Sequence, residues 1–367
     1  MRRKLRVGIL FGGRSAEHEI SLQSARNIVE SIDKKKYELV LIGIDKDGRW
    51  YLTDTAQLLF SSGAQLPSVQ TMGGAKKRVG LIPGKNTGEL LRVSQSRAGR
   101  ALDAIFPVLH GPFGEDGTVQ GLLKLANVPF IGAGVLGSAL GMDKDVMKRL
   151  LRDAGIPTAK FLVFRRPQIV DMRFADIVRE IGLPFFIKPA NLGSSVGISK
   201  VKNRNQFRRA VRDAFQYDSK VLLEEHIQGR EIECSVLGND HPIASLPGEI
   251  LPRHEFYSYE AKYLDEKGAV LKIPAKLPPQ LIREIQELSI RAFQVLCCEG
   301  MARVDFFLRD DREVLVNEIN TIPGFTKISM YPKLWEASGL SYSQLIDRLV
   351  ELALERFQRD ARLKTSL

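Results

Sequence analysis

Strand and helix patterns alternate over the first third of the chain. Residues 5–11 and 39–44 are largely apolar runs of strand length, and between them Leu22, Ala25 and Val29 recur at helical spacing. Parallel strands need a crossover connection, which is usually a helix. The alternation therefore predicts a doubly wound parallel sheet covered by helices, an α/β arrangement.

The length of 367 residues predicts two or three domains. A stretch rich in Ser, Gly and Gln, at about 55–100, interrupts the alternation and is interpreted as an insert to which we assign no function. A second unit begins near Asp143. It mixes strands with long helices at about 280–297 and 342–357, which is an α+β pattern.

Composition excludes several classes of protein. No apolar run approaches the roughly 20 residues that cross a bilayer, so a membrane protein is not expected. The first eleven residues are too short in their apolar part for a signal peptide and are interpreted as a strand. The cysteines, Cys234, Cys297 and Cys298, favour neither a disulfide framework nor a zinc site, and together these features favour the cytoplasm.

The net charge of +11 raises the question of nucleic-acid binding. Basic residues are spread along the chain, however, and do not form a recognisable nucleic-acid module. We therefore expect a solvated basic surface with a few lysines for an anionic substrate, and no nucleic-acid partner.

Charged and apolar residues alternate near the carboxyl end, as in a half-buried strand, so Arg303 and Asp305 share one face. A plausible turn at 309–312 leads into a returning strand with Glu318 and Asn320 on one face. A hairpin would place Asp305 roughly opposite Glu318. Such oxygen ligands suit Mg²⁺, although an exposed hairpin with ordinary salt bridges fits the same pattern.

Two lysines are candidates for phosphate binding. Lys188 ends an apolar strand, and the glycine- and serine-rich segment 191–197, with Ser194 and Ser195, follows it. Such a loop can fold over phosphates with the lysine as a point charge, but it matches neither GxxxxGK[ST] nor GxGxxG. A plain hairpin loop is the alternative. Lys144 is the second candidate, and a solvated helix lysine is its alternative.

Further polar residues follow strand ends. An apolar strand turns acidic at Glu224 and Glu225, where a carboxylate could bind a ribose hydroxyl or an adenine amino group, or simply be solvated. Glu17 follows a glycine turn and suits a substrate ammonium, and His110 follows a second such turn. A polar loop at 256–263 carries three tyrosines and a lysine.

Taken together, these motifs resemble the D-alanine–D-alanine ligases of the ATP-grasp superfamily. The most specific are HGPFGEDGT, KPANLGSSVG, YEAKY and the run from Arg303 to Ser329, and the resemblance covers nearly the whole chain. It implies an amino-terminal substrate domain at 1–142, and ATP-grasp subdomains at 143–235 and 236–367 that hold ATP between them. The last of these carries the metal site.

The resemblance also implies ATP as co-substrate and two Mg²⁺ or Mn²⁺ ions per active site. The implied metal ligands are Asp305, Glu318 and Asn320. The residues implied to surround ATP are Lys144, Lys188, Ser194, Ser195, Glu224, Glu225, Ile227, Glu231 and Lys262.

The remaining roles implied by the resemblance concern the two amino acids. Glu17 would receive the first ammonium, with His110 nearby, and Glu17, Ser194 and Tyr263 would link that subsite to a closing loop. Arg303 and the Gly324 backbone would stabilise the tetrahedral oxyanion. The carboxylate of the second amino acid would be held at Ser329 with Met330.

The activity implied is ATP-dependent joining of two D-alanines through D-alanyl phosphate, which supplies peptidoglycan synthesis. Alternatives are a D-alanine–D-lactate or D-alanine–D-serine ligase of the same fold, or a nucleotide-binding protein without catalysis. Tyr263 counts against the lactate form. Retention of Asp305, Glu318 and Asn320 counts against the non-catalytic form. A homodimer is a further expectation from the resemblance.

Overall fold

A computed structural model describes these parts of the chain: residues 3–54, 78–81, 90–92, 101–166, 168, 173–194, 196–252 and 269–364. Three of the predicted site residues, Ser195, Lys262 and Tyr263, lie outside these ranges, as does most of the predicted insert. The roles assigned to them stay predictions.

Strands and helices are numbered here in chain order. The strands are β1 (Leu5–Gly12), β2 (Tyr37–Ile44), β3 (Trp50–Thr53), β4 (Val79–Leu81), β5 (Leu90–Arg92), β6 (Ala104–Val108), β7 (Phe161–Arg165), β8 (Phe185–Pro189), β9 (Ser199–Val201), β10 (Lys220–Glu225), β11 (Gly229–Gly238), β12 (Ile243–Ala244), β13 (Gly248–Pro252), β14 (Ala269–Lys272), β15 (Gly300–Arg309) and β16 (Glu313–Asn320). The helices are α1 (His18–Ser31), α2 (Thr118–Leu125), α3 (Val135–Met142), α4 (Lys144–Asp153), α5 (Phe174–Ile181), α6 (Arg204–Tyr217), α7 (Pro279–Val295), α8 (Met330–Ala337) and α9 (Tyr342–Asp360).

The first sheet has the order β3-β2-β1-β6. Strand β1 pairs in parallel with β2 and β6, as the alternation predicts. Edge strand β3 pairs antiparallel with β2, so the sheet is mixed rather than wholly parallel. The reason is the short connection between β2 and β3, which can only reverse the chain. Asp45 Oδ1 closes it by accepting the backbone N–H groups of Asp47 and Arg49 at 2.9 and 2.8 Å.

The second sheet, β7-β10-β8-β9, is antiparallel and carries helices α5 and α6 on its apolar side. The third sheet runs β14-β13-β11-β15-β16, with β12 paired to β11. The predicted boundary at residue 235 falls inside β11, and the chain passes from the second sheet to the third between Glu225 and Gly229. Both sheets require the same apolar strand pattern, so the sequence shows no change of composition at that point.

The hairpin predicted near the carboxyl end is confirmed. Strands β15 and β16 pair antiparallel, with Asp305 opposite Glu318 and Arg303 opposite Asn320. An irregularity in the pairing follows Asp305 directly, and such bulges re-aim the neighbouring side chains.

The last helix joins the carboxyl-terminal part of the chain to the first sheet. Leu345, Ile346 and Leu349 of α9 lie in one buried cluster with residues of β1 and α1. The buried guanidinium of Arg356 donates to the carbonyl oxygens of Phe130 and Gly132 at 2.6 and 2.5 Å. The same cluster includes Leu237 of β11 and Met301 of β15, so α9 packs against both the first and the third sheet. None of the helices in the described ranges has the length and apolarity needed to cross a membrane.

Candidate active site

A cavity of about 420 Å³ lies where loops of the three sheets meet. Its lining contains many of the side chains predicted from the sequence. They are Glu17, Ser194, Glu231, Arg303, Asp305, Glu318, Asn320, Gly324, Ser329 and Met330. Residues that lie far apart in the sequence, at the ends of β1, β8 and β16, are thus brought to one place.

The predicted metal ligands lie on one face of the β15–β16 hairpin. Asn320 Nδ2 donates to Asp305 Oδ2 at 3.0 Å, and Glu318 Oε2 lies 3.3 Å from Lys144 Nζ. In the described ranges no three His, Cys, Asp or Glu side chains are placed to hold a metal ion together. The predicted set consists of two carboxylates and one amide. Its donors are all oxygen atoms, which fits Mg²⁺ with phosphate and water completing the coordination.

Arg303 is fixed beside this face by two carboxylates. It forms a bidentate pair with Asp305, with both nitrogen–oxygen distances at 2.7 Å. It also lies 2.8 Å from Glu233, a buried residue that the sequence analysis missed. Strand alternation could have revealed Glu233, because it stands opposite Asp305 on the neighbouring strand β11. The planar guanidinium is therefore held in one orientation at the edge of the cavity.

The candidate phosphate lysines extend from this face into the interior between the second and third sheets. Lys144 donates to the carbonyl oxygen of Leu192, at 2.7 Å, in the loop that follows β8. Lys188 is buried and forms an ion pair with Glu224. A further buried lysine, Lys148, lies 2.5 Å from the other oxygen of Glu224. Lys148 was not predicted as a site residue from the sequence, although it follows Lys144 by one helical turn.

The residues predicted to surround adenosine differ in their exposure. Glu224 is only 1% exposed, so its carboxylate faces the two lysines and not an open surface. Glu225 accepts the backbone N–H of Lys160 at 2.7 Å. Ile227 packs in a small apolar cluster with residues of β16, and Glu231 lines the cavity.

At the other end of the cavity the hydroxyl of Ser194 donates to Glu17. Ser194 has a positive φ of 52°, an uncommon backbone conformation for a residue other than glycine. Glycines make room for the carboxylate, since a Cβ on Gly111 would lie 2.7 Å from Glu17 Oε2 and one on Gly193 would lie 3.3 Å from it. Two of the three members of the predicted trio are therefore in contact.

His110 lies behind the cavity wall. Its Nδ1 bonds to the carbonyl oxygen of Ile322 at 3.0 Å, and its Nε2 lies 3.2 Å from Ser24 Oγ. Burial lowers the pKa of His110, which favours the neutral ring with Nδ1 as donor. The Ser24 hydroxyl oxygen in turn accepts the N–H of Phe325 at 3.2 Å. His110 therefore positions the backbone that follows Asn320.

Glu115 is a third site residue that was not predicted from the sequence. Its carboxylate accepts the N–H of Gly111 at 2.7 Å and that of Ile322 at 3.2 Å. Burial, and then the negative charge of Glu17, raise the pKa of Glu115 to about 8. The loop at 109–118 thus forms hydrogen bonds with both backbone groups of Ile322: Glu115 accepts from its N–H, and His110 donates to its C=O.

The predicted second subsite forms a short loop before helix α8. Ser329 Oγ accepts the N–H of Thr326 at 2.9 Å and lies 2.8 Å from Thr326 Oγ1. A Cβ on Gly324 would lie 2.7 Å from that same Oγ, so a larger residue there would displace the Ser329 hydroxyl. Met330 is buried against Ile250 while still lining the cavity.

Comparison with known proteins covers nearly the whole chain. The family "D-ala D-ala ligase N-terminus" matches residues 6–133, and "D-ala D-ala ligase C-terminus" matches residues 150–351. The D-alanine–D-alanine ligase of Oceanobacillus iheyensis is 55% identical over 363 residues, which cover 99% of each chain.

Solved structures give the same result. The D-alanine-D-alanine ligase from Coxiella burnetii has a TM-score of 0.87 and 42% identity, covering 98% of this chain and 96% of that one. The VanG D-Ala:D-Ser ligase from Enterococcus faecalis has a TM-score of 0.84 and 35% identity, covering 96% and 100%. These matches confirm the resemblance drawn from the sequence motifs. The chain belongs to the D-alanine–D-alanine ligase family, of the ATP-grasp type.

Proposed function

We propose that this enzyme joins two D-alanines to D-alanyl-D-alanine at the expense of ATP, through D-alanyl phosphate, and so supplies peptidoglycan synthesis. One observation carries the proposal: a single cavity has an ammonium-binding carboxylate, Glu17, at one end and the oxygen-ligand face of the β15–β16 hairpin at the other. Family membership supports the same reaction.

At the nucleotide end, the chain offers buried cations for the phosphates of ATP. Lys144 and Lys188 lie beside Glu318 and Glu224, and Glu231 faces the cavity. Two Mg²⁺ or Mn²⁺ ions held by Asp305, Glu318 and Asn320 would offset the charge between the γ-phosphate and the attacking carboxylate. The lysines would also offset this negative charge. Their effect is strong because they are buried, and a buried charge is only weakly screened by solvent.

At the amino-acid end, Glu17 receives the ammonium of the first D-alanine and Ser194 keeps the Glu17 carboxylate in place. A carboxylate oxygen of this D-alanine then attacks the γ-phosphorus, and ADP leaves. Glu17 thus orients the carboxylate towards the phosphate and excludes acids that lack an α-ammonium.

In the second step the neutral amine of the second D-alanine attacks the acyl carbon, and phosphate leaves as the amide bond forms. Negative charge develops on the carbonyl oxygen during the attack. Arg303 and the N–H of Gly324 line the cavity where this charge would be stabilised. Ser329 and Met330 would receive the carboxylate of the second D-alanine.

Water must be kept from the acyl phosphate, so a lid is required. We assign the lid to the loop with Lys262 and Tyr263, and we assign Ser195 to phosphate binding beside Lys188. These roles rest on the resemblance alone, because all three residues lie outside the described ranges.

The similarity to the VanG D-Ala:D-Ser ligase makes a D-alanine–D-serine ligase the main alternative. The residues of the second subsite decide between the two activities. D-Serine differs from D-alanine by one hydroxyl, which a pocket lined by an apolar group such as Met330 does not reward. ADP release and product masses should be measured with D-alanine alone, with L-alanine alone, and with D-alanine paired with D-serine, D-lactate or L-alanine.

We expect D-alanyl-D-alanine as the dominant product in each mixture and no turnover with L-alanine alone. A dominant mixed product with D-serine or D-lactate would assign the enzyme to that class instead. ATP binding without any turnover would identify a non-catalytic nucleotide-binding protein.

We also propose a cytoplasmic homodimer. The location follows from the need for ATP. The dimer is supported by an apolar face on neighbouring helices, where Leu125 of α2 and Leu136 of α3 are 71% and 57% exposed. Light scattering should give twice the 41.1 kDa mass of one chain. A mass equal to one chain at micromolar concentration would reject the dimer.

A further inference from the structure

The interior between the second and third sheets holds a buried cluster of one carboxylate and two lysines. One oxygen of Glu224 pairs with Lys188, and the other lies 2.5 Å from Lys148 Nζ. The side chains of Lys148 and Glu224 are each 1% exposed, and that of Lys188 is 11% exposed. Lys188 is thus the member closest to the surface, and Lys148 is the more deeply buried of the two lysines.

Helix α4 explains how a lysine reaches this place. Lys144 and Lys148 are one turn apart and share a face of the helix. Lys144 points to Glu318 and to the loop after β8, whereas Lys148 points to Glu224. One helix face therefore supplies cations to both carboxylates.

Charge balance indicates what Lys148 does. Glu224, Glu318 and Glu231 all act electrostatically on Lys188. Three lysines, Lys144, Lys148 and Lys188, oppose these three carboxylates. Without Lys148 the group would carry one net negative charge, in a region where burial leaves charge weakly screened. The phosphates of ATP would then be repelled by this negative charge, and Glu224 would have Lys188 as its remaining lysine partner in the group.

We propose that Lys148 is a positioning residue for ATP binding: it neutralises Glu224, so that the charge of Lys188 remains available to the phosphates. This inference rests on the proposed function of the same site. Lys148 itself is too deeply buried to touch the nucleotide, and it acts through Glu224 and Lys188.

A purely structural ion pair is the competing explanation. In that case, removing Lys148 would reduce stability and would weaken the binding of all ligands equally, because the whole site would become less rigid. The positioning role predicts a selective effect, in which ligands with phosphates are weakened and a ligand without them is not. It also predicts that removing the charge of Glu224 compensates for the loss of Lys148.

The test compares ADP and adenosine binding by titration calorimetry or by competition, using the full-length enzyme with Mg²⁺. We expect Lys148→Met to raise the Kd of ADP by about tenfold or more, and a tenfold change is equivalent to about 1.4 kcal/mol. The Kd of adenosine should change by less than about twofold. Lys148→Arg should keep most of the ADP affinity, because it keeps the charge.

The double variant Lys148→Met with Glu224→Gln should recover ADP binding relative to Lys148→Met, since the net charge of the cluster is restored. Lys220→Met is a matched control, because Lys220 is also buried and paired with carboxylates, Asp143 and Asp145. This substitution should lower thermal stability but should change the affinities for ADP and adenosine by the same factor.

Equal weakening of ADP and adenosine in Lys148→Met, or no recovery in the double variant, would overturn the positioning role. Should Lys148→Met fail to fold, the double variant and Lys148→Arg carry the comparison. If wild-type enzyme bound no ADP, the proposed function itself would fail, and that outcome is visible before any variant is made.

Discussion

Asp305 stands opposite Glu318 and beside Asn320, and this grouping was foreseeable from residue alternation and one turn. Glu115 was not foreseeable. Its role depends on the N–H of Ile322, a backbone group 207 residues away. Local patterns reveal which residues share a strand face, but they do not reveal which distant backbone a buried carboxylate will meet.

The metal-ligand assignment is tested at the residue scale. Asp305→Ala and Asn320→Ala should each lower kcat by a factor of at least about 100, because several kcal/mol of transition-state stabilisation are lost. Glu313→Ala, an exposed position on the same hairpin, should leave kcat unchanged. Steady-state kinetics at low millimolar Mg²⁺, with thermal unfolding to verify the fold, provide the check. Near wild-type turnover in Asp305→Ala would refute the assignment.

Glu17 should control the first amino-acid subsite. Glu17→Gln replaces a charge-assisted hydrogen bond to the ammonium by a neutral one, so the KM of the first D-alanine should rise about tenfold or more. The KM of ATP should change far less, because Glu17 lies at the other end of the cavity. Initial rates over a grid of D-alanine and ATP concentrations separate the two constants. Equal increases in both would argue against an ammonium contact.

Glu115 should make stability depend on pH. Its pKa is raised from an ordinary 4.5 to about 8 in the fold, mainly by burial. Between these values the folded chain keeps a proton that the unfolded chain has released. Stability is therefore fully present below about pH 4.5 and is lost as pH rises towards about 8, by up to about 1.4 kcal/mol per pH unit.

Glu115→Gln cannot titrate, so its unfolding free energy should fall less steeply than that of wild type across this window. Denaturant unfolding at several pH values measures both slopes, and other titrating groups cancel in the comparison. The variant should also be less stable overall. The two oxygens of Glu115 each accept one backbone N–H, whereas the NH₂ group of a glutamine amide cannot accept one. Parallel pH profiles would mean that Glu115 is ionised throughout.

At the scale of elements, strands β1 and β2 and the β15–β16 hairpin followed from apolar runs and turn residues. The direction of β3 did not, because it is set by the length of a connection rather than by the strand's own residues. The passage from the second sheet to the third was also hidden, since β10 and β11 each combine a buried apolar run with charged residues.

Helix α9 offers a test of how an element outside the site supports the fold. Ser341 and Gln344 form a capping box, in which the serine oxygen receives the N–H of Gln344 and the glutamine side chain receives that of Ser341. Ser341→Ala should lower the unfolding free energy by about 1 kcal/mol, whereas Ser341→Thr should retain most of it. Denaturation midpoints measure both, and an unchanged midpoint in Ser341→Ala would show that the cap contributes nothing.

At the scale of the whole molecule, the site exists only because three sheets meet. Glu17 follows β1, Ser194 follows β8, and Arg303 belongs to β15. Each motif alone was compatible with a plain turn, loop or salt bridge, and only their convergence in one cavity distinguishes chemistry from ordinary structure. The three-dimensional arrangement is thus the part that the sequence patterns could not supply by themselves.

The central claim is that the carboxylate of the first D-alanine is phosphorylated before the amide bond forms. D-Alanine labelled with ¹⁸O in its carboxylate should be incubated with the enzyme, ATP and Mg²⁺, and the released phosphate analysed by mass spectrometry. The attacking carboxylate oxygen leaves with the phosphate, so we expect one ¹⁸O in each phosphate and one amide bond formed per ADP. Unlabelled phosphate, or ADP release at the same rate without D-alanine, would contradict the account.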